Sequence, residues 1–191
     1  MIVIRRAALL ALAMTLVLLC GCGGGGHEEK KAFESWRQSY AAAQTHESEA
    51  VVTSSDDTRA CEYTLCYEKS AEGETVEVIA PETVAKVKAS VQDDGARLEY
   101  DGVQLDTGTA LAGKLSPLMA LPSLARFLEK GHIESAWTEK RDGESYNVTE
   151  LEDGEGAHLR LWQKQSDLVP VYAELRSGER VEIKMNITKF A

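Results

Sequence analysis

The stretch Ser116–Gly131, SPLMALPSLARFLEKG, decides the fold, because it is a helical segment set inside a run of β-like sequence. Ser116 can cap a helix, and Pro117 stands at the first helical position, where proline is favoured. Pro122 is predicted to divide the segment, with a second helix restarting after it, and Gly131 ends it. Before Pro122, Leu118, Met119 and Leu121 give an apolar turn. After it, the apolar side chains of the second helix share one face: Leu124, Phe127 and Leu128.

On both sides of this segment, from Ala50 onward, apolar residues recur at every second position. Turn signals recur at intervals of roughly 8–12 residues, the spacing of an antiparallel all-β run. They are Glu72-Gly73, Asp93-Asp94-Gly95, Asp101-Gly102, Asp142-Gly143, Asp153-Gly154 and Ser177-Gly178. Each segment between them has one apolar and one polar face. Such faces are predicted for Ala85, Val87, Ala89 and Val91, for Leu159 and Leu161, and for Val181, Ile183, Met185 and Ile187.

An N-terminal helix is predicted from Glu28 to His46. Its apolar side chains recur at i, i+3, i+7 and i+10, which makes one stripe for packing on the sheet. The stripe consists of Phe33, Trp36, Tyr40 and Ala43. The fold class is therefore α+β: an antiparallel sheet of about ten strands with an N-terminal helix and a central, Pro-divided helix.

The first 22 residues predict a lipoprotein signal. Arg5 and Arg6 precede 13 residues, Ala7–Leu19, that are apolar except for Thr15. A membrane-spanning helix needs about 20 residues, so this run has the length of a secretory signal. Leu19-Cys20-Gly21-Cys22 resembles a bacterial lipobox, whose last cysteine is acylated through its thiol, in mature form with fatty acids such as palmitate.

Cys22 fits the acceptor position, whereas Cys20 does not, because Val17–Leu19 would place bulky residues where small ones are needed. We expect residues 1–21 to be the signal peptide, 22–27 a lipidated, glycine-rich tether, and 28–191 a single domain on the extracytoplasmic face of the membrane. A plain cleaved signal and a retained membrane helix are the alternatives.

The charge balance excludes nucleic-acid binding. The chain has 21 basic and 31 acidic residues and a net charge of −10. Loss of Arg5 and Arg6 with the signal would leave 19 basic residues against 31, so the mature charge would be about −12. An acidic body is also repelled by anionic lipid, so the membrane contact is expected through the anchor.

Two cysteines remain in the domain, and both lie on one predicted strand. Cys61 and Cys66 are five steps apart, which is about 16 Å along a strand and too far for a disulfide. Their odd spacing places them on opposite faces. Cys61 is expected in the core with Tyr63, Leu65 and Tyr67, and Cys66 on the exposed face.

The order helix, strands, Pro-containing helix, strands resembles the LolA/LolB-like lipoprotein family. Leu159–Trp162, Asp167–Val171 and Val181–Phe190 resemble that family's last three strands. The resemblance implies a strongly curved sheet, an incomplete barrel, with a helical lid over an apolar hollow. Ser-Pro-Leu and Leu-Pro in the lid region are also similar to lipoproteins of spore-forming bacteria, including germination-associated ones.

No catalytic pattern is present in the sequence. A phosphate-binding glycine loop, a nucleophile elbow and a zinc-binding helix are all missing from it. The four histidines, His27, His46, His132 and His158, are scattered. We therefore expect no enzymatic activity, no cofactor and no metal site.

Two functional hypotheses remain. In the first, the half-barrel binds an apolar ligand such as a lipid or an acyl chain. In the second, the domain is a non-catalytic interaction scaffold in the cell envelope, for a partner protein or as a homodimer, for example in spore germination. The residues predicted to line the hollow are Tyr63, Leu65, Val87, Leu118, Met119, Phe127, Trp137, Leu161, Ile183 and Met185.

Overall fold

The structure is a computed structural model that describes residues 26–55, 60–92, 95–107 and 115–191. The predicted signal peptide, Cys22 and the glycines up to Gly25 lie outside the described residues. The two aspartates of the predicted turn Asp93-Asp94-Gly95 lie outside them as well.

Two α-helices, one short 3₁₀ helix and eleven strands make up the described part of the chain. The helices are α1 (His27–Ala42), the 3₁₀ helix (Pro117–Met119) and α2 (Ala120–Lys130). The first six strands are β1 (His46–Ser55), β2 (Ala60–Ser70), β3 (Gly73–Ala80), β4 (Lys88–Gln92), β5 (Gly95–Tyr100) and β6 (Val103–Asp106). The last five are β7 (His132–Arg141), β8 (Glu144–Glu152), β9 (Ala157–Lys164), β10 (Pro170–Ser177) and β11 (Arg180–Phe190).

All eleven strands form one sheet, in the order β6-β5-β4-β3-β2-β1-β11-β10-β9-β8-β7. Every neighbouring pair is antiparallel. Strands β6 and β7 do not pair with each other, so the sheet is curved but open. The predicted fold class is confirmed, with eleven strands where about ten were expected.

The first and last strands of the chain join the two halves of the sheet. β1 pairs with β11 from Ser48 to Ser54. The pairing extends past Phe190, because Glu47 and Ala191 exchange two backbone hydrogen bonds of 2.9 and 2.8 Å. The halves β2–β6 and β7–β10 therefore depend on one ladder formed by residues distant in sequence.

Both helices lie on the same face of the sheet, which we call the inner face; the opposite one is the outer face. The buried apolar core sits between the helices and the inner face. Its largest fully buried side chains come from α1, α2 and both halves of the sheet: Phe33, Leu65, Tyr67, Leu121, Leu124, Phe127, Leu128, Leu151, Leu159, Leu161, Leu175 and Ile183.

Both predicted helices need a correction. Helix α1 ends at Ala42 and not at His46, since the extended backbone of Ala43 caps it and His46 already belongs to β1. The central segment does not restart after Pro122. Helix α2 begins at Ala120, so Pro122 lies in its first turn, where a missing N–H breaks no helical hydrogen bond. The division falls instead between the 3₁₀ helix and α2.

Two strand predictions are also wrong. β4 begins only at Lys88; Val87 lies in the preceding turn, where Lys86 has a positive φ of 71°. Cys61 is exposed and not in the core, because it lies opposite Ser54 at the far end of the β1–β2 ladder. Cys66, expected to be exposed, is half-buried.

Within the described residues, no helix is both long and apolar enough to cross a membrane.

A matched pair of leucines tests the position of α2. Leu128 is fully buried on α2, whereas Leu105 on β6 is 62% exposed. We expect Leu128→Ala to lower the free energy of unfolding by about 2–5 kcal/mol, because it removes buried methyl groups and leaves a cavity. Leu105→Ala should change it by less than about 0.5 kcal/mol. Urea unfolding of both variants measures the difference, and equal losses would contradict the placement of α2 in the core.

Candidate functional site

Nine of the ten predicted lining residues lie in or against the core. Six are buried: Leu65, Met119, Phe127, Leu161, Ile183 and Met185. Three are half-buried and pack against the core: Tyr63, Val87 and Leu118. All nine belong to, or pack against, one cluster of buried apolar side chains. They form a packed interior, and their role in binding a ligand stays a prediction.

Trp137 is the exception, and its predicted position on the inner face is wrong. It lies opposite Val148 on β8, and Val148 lies opposite Trp162 on β9. The inner-face residue Leu161 pairs instead with Thr149, one position along. Since side chains alternate across a strand, Trp137 projects from the outer face.

The pocket between α1, α2 and β1 is filled by its own lining residues and leaves no free space. Its volume for a water-sized molecule is about 0 Å³. The lining residues are Tyr40, His46, Glu47, Ser48, Tyr67, Leu121, Leu124, Ala125 and Phe190. None of the ten predicted residues is among them, so the deep part of the inner face is filled by the chain itself.

Aromatic stacking fills this region. The ring of His46 stacks on Tyr40 with centroids 4.0 Å apart, and Tyr40 in turn stacks on Trp36 and on Phe190. Burial lowers the pKa of His46, so its imidazole is neutral at physiological pH. Burial also raises the pKa of Tyr40 and Tyr67, which keeps both phenols protonated.

One charged side chain ties α2 to the sheet. Lys69 on β2 contacts Glu129 of α2 at 2.6 Å and Glu74 of β3 at 3.0 Å. The phenol of Tyr67 donates a hydrogen bond of 3.1 Å to Glu74. Burial opposes the charge of Lys69, but its hydrogen bonds to both carboxylates outweigh burial and raise its pKa. These contacts hold α2 at the inner face.

Within the described residues, neither helix covers the inner face at the β5–β6 end. Leu98, half-buried, packs against the core, and Leu105 lies opposite it on β6. Tyr100 and Val103 form the next pair on the same face. Tyr100, Val103 and Leu105 are 52%, 70% and 62% exposed. We call these four residues the open end. The sequence hypotheses did not include it, although Val103 and Leu105 alternate with Gln104.

The outer face carries an aromatic and arginine cluster across β7–β10. Trp162 is buried there beside Tyr172, with ring centroids 5.0 Å apart. The guanidinium of Arg141 lies 4.8 Å from the Trp162 ring, and Arg160 lies 5.7 Å from Trp137. Arg160 also donates from Nε to Glu150 at 2.8 Å. Each arginine covers an aromatic ring and pairs with a carboxylate, so the cluster stabilises the outer face.

One group of metal-ligating atoms lies at the β1–β2 ladder on the outer face. The oxygens of Glu47 and Glu68 and the sulfur of Cys66 lie within 4.8 Å of one another. Lys189 donates to Glu47, which occupies that carboxylate. Burial first, and then the nearby carboxylates, raise the pKa of Cys66. The thiol is therefore protonated at neutral pH and is a poor metal ligand or nucleophile.

Glu150 makes the stability of the outer face depend on pH. Burial raises its pKa, but the hydrogen bonds from Arg160 and Ser135 outweigh burial and lower it overall. A carboxyl whose folded-state pKa is lowered contributes stability above its unfolded pKa of about 4.3, and that contribution is lost as the pH falls through the folded value.

We therefore expect Glu150→Gln to cost about 1 kcal/mol of unfolding free energy at pH 7 and progressively less below pH of about 4. Urea unfolding of wild type and variant across this pH range gives the difference. Glu155→Gln, at an exposed loop position, is the control and should cost nothing at either pH. A Glu150→Gln penalty that stays constant down to pH 3 would contradict the ion-pair assignment.

Comparison with known proteins gives matches among solved structures only. No protein-family model matches the sequence, and no curated protein matches it significantly. A LolA superfamily protein from Nitrosomonas europaea is 13% identical, with a TM-score of 0.48 over 82% of this chain and 91% of that one. LprF from Mycobacterium bovis is 11% identical, with a TM-score of 0.44 over 88% and 95%.

A chain of the Pseudomonas aeruginosa MucA/MucB complex is 10% identical, with a TM-score of 0.42 over 84% of this chain and 56% of that one. At such identities, and with TM-scores below 0.5, the likeness concerns the outline of the fold alone.

Proposed function

We propose that this protein is a lipoprotein, anchored through Cys22 at the extracytoplasmic face of the membrane, that binds an apolar ligand such as an acyl chain at its open end. The observation that carries the proposal is the exposure of Tyr100, Val103 and Leu105 side by side on the inner face. Large apolar side chains grouped on one exposed surface are typical of binding sites, whereas single ones are ordinary.

The open end favours an apolar ligand for a second reason. The closed pocket between α1, α2 and β1 holds no free volume, so a ligand cannot enter it without displacing α2. At the open end, by contrast, Leu98 already packs against the core, and the three exposed side chains extend the same apolar face outward. Covering them gains about 25 cal/mol for each Å² of apolar surface removed from water.

The anchor determines where this binding takes place. Residues 23–26 are four glycines, a composition that predicts a flexible tether between Cys22 and α1. Two or more acyl chains on one cysteine give stable membrane attachment, whereas a single chain binds reversibly. The domain is thereby held close to lipid while its net negative charge keeps it off an anionic surface.

The anchor is tested by Cys22→Ala. We expect this variant to be released from the membrane fraction and to lack the mass of the acyl groups, because no other thiol at the junction fits the acceptor position. Fractionation and intact-mass spectrometry give both readouts. Cys20→Ala is the matched control and should remain anchored. Membrane attachment of Cys22→Ala equal to that of wild type would show a retained membrane helix instead.

Ligand binding is tested by the double variant Val103→Thr/Leu105→Thr, which keeps strand-forming residues while removing apolar surface. We expect a fluorescent C16 fatty acid to bind about tenfold more weakly, a change of about 1.4 kcal/mol. Native mass spectrometry of the protein purified from cells should also show less co-purified lipid. Ile79→Thr is the control, since Ile79 is 49% exposed on β3, two strands away from β5.

Self-association is the second candidate, favoured by the position of β6 at the edge of the described sheet. An edge strand can pair with another chain. Light scattering on the same variants separates the candidates. A dimer in wild type that dissociates in the double variant, with no fatty acid bound by either, would assign the open end to a second copy and overturn the lipid proposal.

A further inference from the structure

A second concave surface lies at the opposite side of the fold, between the first turn of α1, β8 and the β9–β10 connection. We call it the side groove. Its volume is about 540 Å³. It is lined by Glu28, Glu29, Ala32, Asn147, Gln165, Ser166, Asp167 and Leu168. It shares no residue with the open end, so binding in the side groove is independent of the proposed function.

The α1 wall of the side groove is fixed by hydrogen bonds. Glu29 accepts from the backbone N–H of Gly26 at 3.0 Å and from the hydroxyl of Thr138 on β7 at 2.9 Å. Lys30 donates to the carbonyl of Glu134 at 2.7 Å. Gly26 has a φ of 117°, and a Cβ there would lie 2.7 Å from the carbonyl oxygen of Ala136. The start of α1 therefore sits directly on β7 and has a defined position.

Hydrogen bonds also fix the opposite wall, which the β9–β10 connection forms. The backbone N–H of Leu168 donates to the carbonyl of Lys164 at 2.8 Å, and that of Val169 donates to the side chain of Asp167 at 3.0 Å. The backbone N–H of Gln165 donates to the carbonyl of Ser145 at 3.1 Å. Leu168 has a positive φ of 58°, which these bonds hold. The side groove is thus bounded by two rigid segments.

One buried polar group without a partner among the described residues lies in the floor of the groove, and two more lie beside it in the sheet. Asn147, which lines the groove, is only 5% exposed, and its Oδ1 has no hydrogen-bond partner among the described residues. Gln163 lies directly opposite it on β9 and is fully buried. The Gln163 Nε2 donates to the carbonyl of Leu168 at 2.6 Å, which fixes the amide so that its Oε1 is the unpaired atom. Thr149, two positions from Asn147, has an unpaired hydroxyl as well.

The unpaired Oδ1 of Asn147, in the lining of the groove, can accept a hydrogen bond from a donor outside the chain. More than 90% of buried polar groups in proteins are hydrogen-bonded, and leaving one unpaired costs about 1–3 kcal/mol. The charge of the groove determines which donor fits. Its described lining includes three carboxylates, those of Glu28, Glu29 and Asp167, and no cationic side chain.

We propose that the side groove binds an aliphatic amine through a primary ammonium group. An ammonium supplies three donors and a positive charge, so it can satisfy the Asn147 floor and the carboxylates of Glu28 and Asp167 together. The methylene groups next to the ammonium would contact Ala32 and the side chain of Leu168, the apolar part of the lining. A ligand with two or more ammonium groups matches the carboxylates of Glu28 and Asp167 best.

A divalent metal ion fits the groove less well. Calcium takes six to eight oxygen ligands, and both oxygens of Glu29 and one of Asp167 already accept hydrogen bonds from the chain. An ammonium needs only a few acceptors in open geometry, which is what Asn147, Glu28 and the second oxygen of Asp167 provide. The site is therefore assigned to an organic amine.

Isothermal titration calorimetry of the full-length protein in detergent tests this assignment with spermidine as the probe. We expect spermidine to bind and the double variant Glu28→Gln/Asp167→Asn to bind at least tenfold more weakly. The matched control, Glu34→Gln/Glu72→Gln, changes two exposed carboxylates outside the groove and should bind like wild type. Tetramethylammonium, a cation without N–H donors, should not bind measurably.

Asn147→Ala tests the floor and should also lose at least tenfold in affinity; its thermal unfolding is measured in parallel. If that variant does not fold, the Glu28→Gln/Asp167→Asn variant decides the question, because both side chains are on the surface. Four outcomes would overturn the proposal: no spermidine binding, an equal loss in the Glu34→Gln/Glu72→Gln control, binding of tetramethylammonium as tight as that of spermidine, or displacement of spermidine by an equimolar amount of calcium.

Discussion

Two short helices have to cover one apolar face of a wide sheet. The rest of the structure depends on how much of that face they cover. Eleven strands at a spacing of about 4.8 Å make a sheet about 48 Å wide. Each helix has a diameter of about 10–12 Å with its side chains, so α1 and α2 together cover about half of that width. Curvature of the sheet brings further apolar side chains into contact, but neither helix reaches the edge at β5–β6 in the described part of the chain.

The limited cover that two helices provide also explains why the outer face has its own aromatic cluster. Strands β7–β10 carry bulky side chains on both faces, as in Leu161 and Trp162, which are neighbours in sequence and both buried. Inner-face residues pack under α1, whereas Trp162 is covered by Arg141 and Arg160. Arginines can shield an aromatic ring and still reach water, so this half of the sheet needs no third layer of structure.

The fold was largely predictable because its signals are local. The alternation of apolar residues in the strands and the apolar stripe of α1 each extend over about ten residues. Together with the turn residues between the strands, they indicate the fold class. The face of Trp137 could not be predicted in this way, because Ala136 beside it is also apolar and only the register with Val148 decides which of them points inward. The exposure of the open end depends on how far α2 reaches. The side groove unites three segments that only the folded sheet brings together, so it has no signal in the sequence.

The side groove also stands in a fixed relation to the predicted anchor. Glu28 is six residues from Cys22, and an extended chain of that length spans at most about 21 Å. The groove would therefore stay within about 20 Å of the bilayer surface in every orientation of the domain. Cations accumulate near an anionic surface, so an acidic groove held at this distance would meet its ligand at a raised local concentration. The open end has no such restriction, because the sheet separates β6 from α1 along its full width.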